Sequence, residues 1–204
     1  MTQRHAPATE RNRAPILEVL QHHLPRDGAI LEISSGTGQH ASFFAPFFAP
    51  RQWLPSDVDE DNLASIAAWR DASPADNLLA PARIDASASD WWQQAWPVDQ
   101  MINAIVNINM IHIAPWTCCE GLLRGSEQLL SAGGVLYLYG PFKQGGQHTA
   151  ASNEAFDTHL KNQNPLWGVR NLESVIELAA QHGLEHHATV EMPANNLSVV
   201  FIRQ

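Results

Sequence analysis

The sequence predicts an α/β domain built on a parallel β-sheet, and two observations carry this. From Ala29 onward, short apolar runs alternate with segments of helical periodicity, at the spacing that βαβ units give. Two of those runs, 101–108 and 135–139, are largely or wholly apolar, as strands covered on both faces must be. The 204 residues suit one domain, and a 45% hydrophobic share with 16% charged residues provides a core and excludes a disordered chain.

Along the chain, residues 1–8 are expected as a flexible tail. A helix is expected over 9–24, with Thr9 as its cap and Ile16, Leu17, Val19 and Leu20 as its apolar stripe, ended by Pro25 and Gly28. Residues 29–33 read as a strand running into Ser-Ser-Gly-Thr-Gly, and a helix follows over 38–48 with a bend at Pro46. Next come a strand over 52–56, a helix over 60–70 capped by Asp59, a short strand over 83–85 and a short helix over 91–96 packed by its tryptophans. The strand at 101–108 leads to a helix over 116–131, stopped by Gly133-Gly134, and to the strand at 135–139. Helices over 152–163 and 171–182 precede two closing strands, 186–191 and 197–202.

Twelve Lys and Arg against 21 Asp and Glu leave a formal charge of −9, which argues against a nucleic-acid partner, since phosphates call for clustered cations. Cys118 and Cys119 are adjacent and so placed do not bridge, which fits a reducing cytoplasm. The N-terminus lacks the apolar core of a secretory signal, and no window approaches the roughly 18 apolar residues of a membrane helix. A cytoplasmic protein is expected. The pairs His22-His23 and His186-His187 point apart on a helix or strand, so no metal site is expected.

Parallel sheets bind ligands beyond the carboxyl ends of their strands. After the first strand, Gly36-x-Gly38-x-x-Ala41 fits both the dinucleotide fingerprint and the nucleotide loop of S-adenosylmethionine (SAM) enzymes, with Ser34 in place of that loop's first glycine. Glu32 separates the two, because dinucleotide folds keep that strand apolar and a buried carboxylate is costly without a job. Asp57 ends the second strand, 19 residues beyond Gly38, where a carboxylate can accept from ribose hydroxyls. Asp85 and Ala86 follow the third strand, where an acid can receive an adenine amino group and a backbone N–H can reach the ring. Asn107, Asn109 and His112 leave the fourth strand together, and Tyr139 ends the fifth.

On the blocks ERNRAPIL, LEISSGTGQH, PSDVD with SIAAW, NMIHIAPW, YGPF, Ser152-Asn153 to Phe156-Asp157, WGVR and MPANN, the chain resembles the class I SAM-dependent methyltransferases. More narrowly it resembles the methyltransferase-like 26 family, over residues 10–204. The resemblance implies a Rossmann-like, seven-stranded, mostly parallel sheet with helices on both faces and an antiparallel C-terminal strand, and SAM as cofactor. It carries Glu32, Gly36 and Gly38 over as loop residues, Asp57 as ribose ligand and Asp85 as the adenine-side acid. Two positions depart from the broad pattern: Ser34, and Asn103 where many members have an acid.

The implied reaction is methyl transfer to a small-molecule or protein acceptor. A hydroxyl or ammonium acceptor needs a base, and His112 is the candidate, with Asn109 and Tyr139 beside it. Asn153, Asp157, Arg170 and Asn195 are candidates for orienting the acceptor. Arg11-Asn12-Arg13 reads either as a lid over the cleft or as a solvated helix start. A non-catalytic module binding SAM or S-adenosylhomocysteine (SAH) would share the cofactor residues. An NAD(P) oxidoreductase is the further alternative, against which Glu32 and Asp85 speak.

Overall fold

The apolar runs of the sequence become strands whose alternate side chains feed two separate cores. The computed structural model describes residues 2–94 and 96–204. In chain order the elements are α1 (Pro7–His23), β1 (Ala29–Ile33), α2 (Gln39–Phe44), β2 (Trp53–Asp57), α3 (Glu60–Ala72), β3 (Ala82–Arg83), β4 (Ile102–Ile108), α4 (Trp116–Leu129) and β5 (Val135–Gly140). They continue as β6 (Phe142–Gln144), β7 (Gln147–His148), α5 (Ala151–Gln163), β8 (Arg170–Asn171), α6 (Leu172–Gln181), β9 (Leu184–Met192) and β10 (Asn196–Arg203).

The main sheet has seven strands in the order β3-β2-β1-β4-β5-β10-β9. The first five are parallel, and β10 runs antiparallel between β5 and β9. Leu31, Ile33 and Ile105 point into one core, which α4 and α6 cover through Leu122, Leu123, Val175 and Ala179. Ile30, Ala104 and Val106 point into the other, covered by α1 and α2 through Ile16, Leu20, Ala41 and Phe44. The crossover direction reverses between β1 and β4, so the chain leaves their carboxyl ends in opposite directions and opens a cleft there.

Several expectations are corrected. The N-terminal segment is not a loose tail from Arg4 onward: the Arg4 amide donates to Ser65 Oγ at 2.9 Å, and Trp69 Nε1 donates to the Arg4 carbonyl at 3.0 Å. Met1 lies outside the described residues. The first helix begins at Pro7, whose fixed φ suits a first helical position, so Thr9 is inside the helix rather than its cap. The expected helix over 38–48 is α-helical only to Phe44 and then a 3-10 turn over Ala45–Phe48, because Pro46 has no N–H to continue the ladder. The helix expected over 91–96 is a 3-10 turn, Trp91–Gln93, and Ala95 lies outside the described residues. Asp59 does cap α3, accepting from the Asn62 amide at 2.9 Å. A second, three-stranded sheet, β7-β6-β8, has no counterpart in the sequence reading. Its hairpin turns on Gly145-Gly146, both at positive φ.

Candidate functional site

The loop after β1 is held in a shape that few residues accept. Ser34, Gly36 and Gly38 all have left-handed φ, at 60°, 57° and 87°. Glycine pays no steric penalty there, whereas Ser34 adopts the same region with a side chain. The loop is pinned to β2 by donation from the Ser35 amide to the Ser56 carbonyl at 2.7 Å, and from the Ser56 amide to Ser35 Oγ at 3.1 Å. The two glycines then differ. A Cβ on Gly38 would stand 2.8 Å from the Ile66 Cα, so Gly38 is required by packing against α3. A Cβ on Gly36 would meet nothing within 4 Å, so that glycine faces open space.

That space is a cavity of about 270 Å³ at the carboxyl ends of β1, β2 and β4. Glu32, Ser34, Gly36, Asp57, Asn12 and Asn109 line it together. Glu32 is 1% exposed and accepts from Trp53 Nε1 at 2.9 Å. Burial pushes its pKa up to about 7 against the pull of hydrogen bonds from Trp53 and Ser35, and the neighbouring Asp57 charge adds to the rise. Asp57 Oδ2 accepts from the Gly36 amide at 2.9 Å, and Oδ1 accepts from the Asp59 amide at 3.0 Å and Asn62 Nδ2 at 3.2 Å. A carboxylate has about four lone-pair sites, so Asp57 keeps about one for a ligand rather than the two expected.

A larger chamber of about 610 Å³ adjoins the cavity, sharing Ala8, Asn12, Asn109 and Ile113 with it. Tyr139, Asn153 and Asn195 line this outer chamber. Asn12 stands at the boundary: His40 Nε2 meets its Oδ1 at 2.9 Å, and it lines the outer chamber together with Tyr139. A hollow of about 550 Å³ between the N-terminal segment and α3 is lined by Thr2, Gln3, Asp71 and three alanines of α3, away from the carboxyl ends of the strands.

Other sequence candidates stand elsewhere. His112 is fully buried against Phe142, with ring centroids 5.0 Å apart, and lines neither cavity. Burial, aided by the Arg170 charge, lowers its pKa to about 3, so it is neutral and walled off from any acceptor. It is not placed to act as the base. Asn107 is buried beneath the site, donating to the Ile33 carbonyl at 2.9 Å. Asp85 and Ala86 lie beyond the short β3 and outside both linings, and the Asp85 carboxylate accepts from the Ser87 amide at 2.9 Å. Arg11 and Arg13 do not line the cavities, and Arg13 pairs with Glu10 at 2.7 Å and covers the Phe43 ring. Of that trio only Asn12 reaches the site.

Asp157 and Arg170 are scaffold. Asp157 is buried and meets Lys161 at 2.7 Å, His148 at 3.2 Å and Lys143 at 3.3 Å. Arg170 donates to the carbonyls of Ile111, Ala114 and Leu166, tying down the segment between β4 and α4. The sequence reading missed His40, Asn62 and Ile113, which line the inner cavity, and Ser152, Phe156 and Asn196, which line the outer chamber. His40 was the most legible of these, lying inside the glycine-loop block. Among the described residues no His, Cys, Asp and Glu group could hold a metal ion, and no helix is long and apolar enough to cross a membrane.

The fold is that of SAM-dependent methyltransferases. An O-methyltransferase family 2 protein from Planctomyces limnophilus, in complex with apigenin, superimposes with a TM-score of 0.80 at 14% identity, covering 97% of this chain and 58% of that one. An O-methyltransferase family protein from Burkholderia thailandensis gives 0.80 at 10% identity, covering 97% and 57%. Magnesium protoporphyrin IX methyltransferase from Synechocystis, with bound SAH, gives 0.69 at 10% identity, covering 100% and 90%. The chain spans a little over half the length of most of these structures. The family described as "Protein of unknown function (DUF938)" matches residues 3–203, nearly the full chain, and the protein belongs to that family.

Proposed function

We propose that the protein is a SAM-dependent methyltransferase that passes a methyl group to a small-molecule or protein acceptor held in the outer chamber. The observation that carries this reading is the open space over Gly36, with the buried Glu32 carboxylate below it and Asp57 beside it. A left-handed glycine facing a cavity lets a ligand approach the backbone closely. A fully desolvated carboxylate costs stability, so its retention suits a cationic ligand group such as the ammonium of SAM. The remaining lone pair of Asp57 then takes a ribose hydroxyl, and Asn62, which borders the same cavity, is available to a second.

When bound, SAM supplies an electrophilic methyl on a sulfonium that is also the leaving group. The chain's own residues position and enclose: Asn109 and Asn12 border both spaces, where acceptor and cofactor must meet. Assignment within the methyltransferase-like 26 family rests on the motif blocks, and a cytoplasmic working place rests on the unbridged Cys118 and Cys119. A non-catalytic SAM- or SAH-binding module is the second reading, favoured by the loss of His112 as a base. Transfer of tritium from methyl-labelled SAM into fractionated cell extract separates the two. Incorporation into one fraction supports the enzyme; binding of SAM without incorporation into any fraction supports the module.

A further inference from the structure

The outer chamber has an unusual chemistry: among the described residues of its lining none carries a formal charge. Its polar groups are the side-chain amides of Asn12, Asn109, Asn153, Asn195 and Asn196 and the hydroxyls of Tyr139 and Ser152. A carboxylate brought here meets no cation and an ammonium meets no anion, and a charge desolvated without a partner costs several kcal/mol. An alcohol acceptor requires a base. Tyr139 is the lining's one titratable group, and burial raises its pKa, keeping the phenol protonated. In the adjoining cavity His40 is engaged with Asn12, and Glu32 with Trp53.

The amides also have a direction. Asn153 Nδ2 donates to Thr149 Oγ1 at 3.1 Å and to the Asn195 carbonyl at 2.9 Å. Asn195 Nδ2 donates to Ser152 Oγ at 3.1 Å. Both N–H groups of Asn153 and one of Asn195 are thus engaged within the protein, so Asn153 offers a ligand its oxygen and Asn195 its oxygen beside one remaining N–H; the oxygens accept from N–H groups. Phe156 and Ile113, 38% and 43% exposed, give the chamber apolar walls suited to a flat ring.

Resting on the methyl-transfer reading, we propose that the chamber takes an uncharged nitrogen heterocycle with an N–H edge, and that its unprotonated ring nitrogen is the methyl acceptor. Such a nitrogen has a free lone pair and needs no base. That lone pair forms the N–CH3 bond as the methyl–sulfonium bond breaks, and the bonding pair leaves on sulfur, giving SAH. The positive charge passes from sulfur to the methylated ring, which then gives its N–H proton to solvent water.

The test is calorimetry on the full chain saturated with SAH, at mildly alkaline pH, with benzimidazole, benzoate and benzylamine as probes. Benzimidazole is expected to bind at least roughly tenfold tighter than either charged ring. Equal or tighter binding of benzoate or benzylamine, or no binding of benzimidazole, overturns the proposal. Ser152→Asp places an acid in the first turn of α5, where it is tolerated and still accepts from the Asn195 amide. It is expected to reverse the order in favour of benzylamine; an unchanged order overturns the assignment of the chamber. Failure of SAH itself to bind removes the methyl-transfer reading and the acceptor class with it. SAH binding with the wrong probe order removes the acceptor class alone.

Discussion

Glu32→Gln is the most informative single change, because the same side chain costs stability and is assigned to ligand binding. The glutamate is fully buried, and its pKa rises from 4.5 to about 7 in the fold. A raised pKa means that the folded state holds its proton longer than the unfolded chain. The contribution of Glu32 to stability is therefore greatest below pH 4.5 and falls as pH rises through the window from 4.5 to about 7. Above that window the ionised carboxylate costs about 3 kcal/mol. Glutamine is neutral and can still accept from Trp53 Nε1. The variant should match the wild type near pH 4.5 and exceed it by about 3 kcal/mol at pH 8, roughly 6–12 °C in Tm for a chain of this size. Urea unfolding of both proteins across this range reads the difference directly. A pH-independent gap, or a variant less stable at alkaline pH, would refute the desolvated carboxylate. The stabilised variant should bind SAM at least about tenfold more weakly, showing that the cost is kept for the ligand.

The two loop glycines should separate folding from binding. Gly36→Ala costs about 1–2 kcal/mol for its left-handed backbone and sharply weakens SAH binding, whereas Gly38→Ala adds a clash with Ile66 and unfolds more readily, as thermal melts with and without SAH would show. Asp57→Ala strands the Gly36 amide and should lower stability by about 2 kcal/mol and SAH affinity by at least about tenfold, measured by urea unfolding and calorimetry. His112→Leu should raise stability near pH 7 by about 1–2 kcal/mol, since neither ring nitrogen has a partner among the described residues. His112 has a folded pKa of about 3 against 6.5, so its neutral form loses stability as pH falls from 6.5 toward 3, and the leucine variant should resist acid better in urea titrations. Its methyl transfer should stay within about threefold of wild type; a loss of about 100-fold, the size of a missing base, would restore the histidine to the chemistry.

The main sheet was legible because buried strands need apolar runs and the helices between them need a 3.6-residue stripe. The cavity floor was legible for a related reason: parallel topology delivers every strand end to one edge, so Glu32, Gly36, Asp57 and Asn109 could be placed without a structure. What the sequence does not carry is the direction of a side chain after the strand ends. Asn109 turns with a φ of 66°, and the 3-10 turn over Met110–His112 carries the imidazole down into the core instead of up into the cleft. Asp157 and Arg170 read as acceptor ligands because several of their partners are remote in sequence, although Lys161 and Leu166 lie only four residues away. Val169 lies 12 residues from Asp157, and Ile111 lies 59 from Arg170. The small sheet stayed hidden because strands of two or three residues have no period to read, and only its Gly145-Gly146 turn left a trace. His40 was overlooked because its partner, Asn12, lies 28 residues away on another helix.

Calorimetric titration of the full chain with SAM, SAH and NADH bears most directly on the methyltransferase reading. SAM and SAH should each bind at one site, NADH should not, and Gly36→Ala should weaken both SAM and SAH, because the added methyl fills the space over that glycine. NADH binding in place of SAM, or SAH binding that survives Gly36→Ala and Asp57→Ala undiminished, would contradict it.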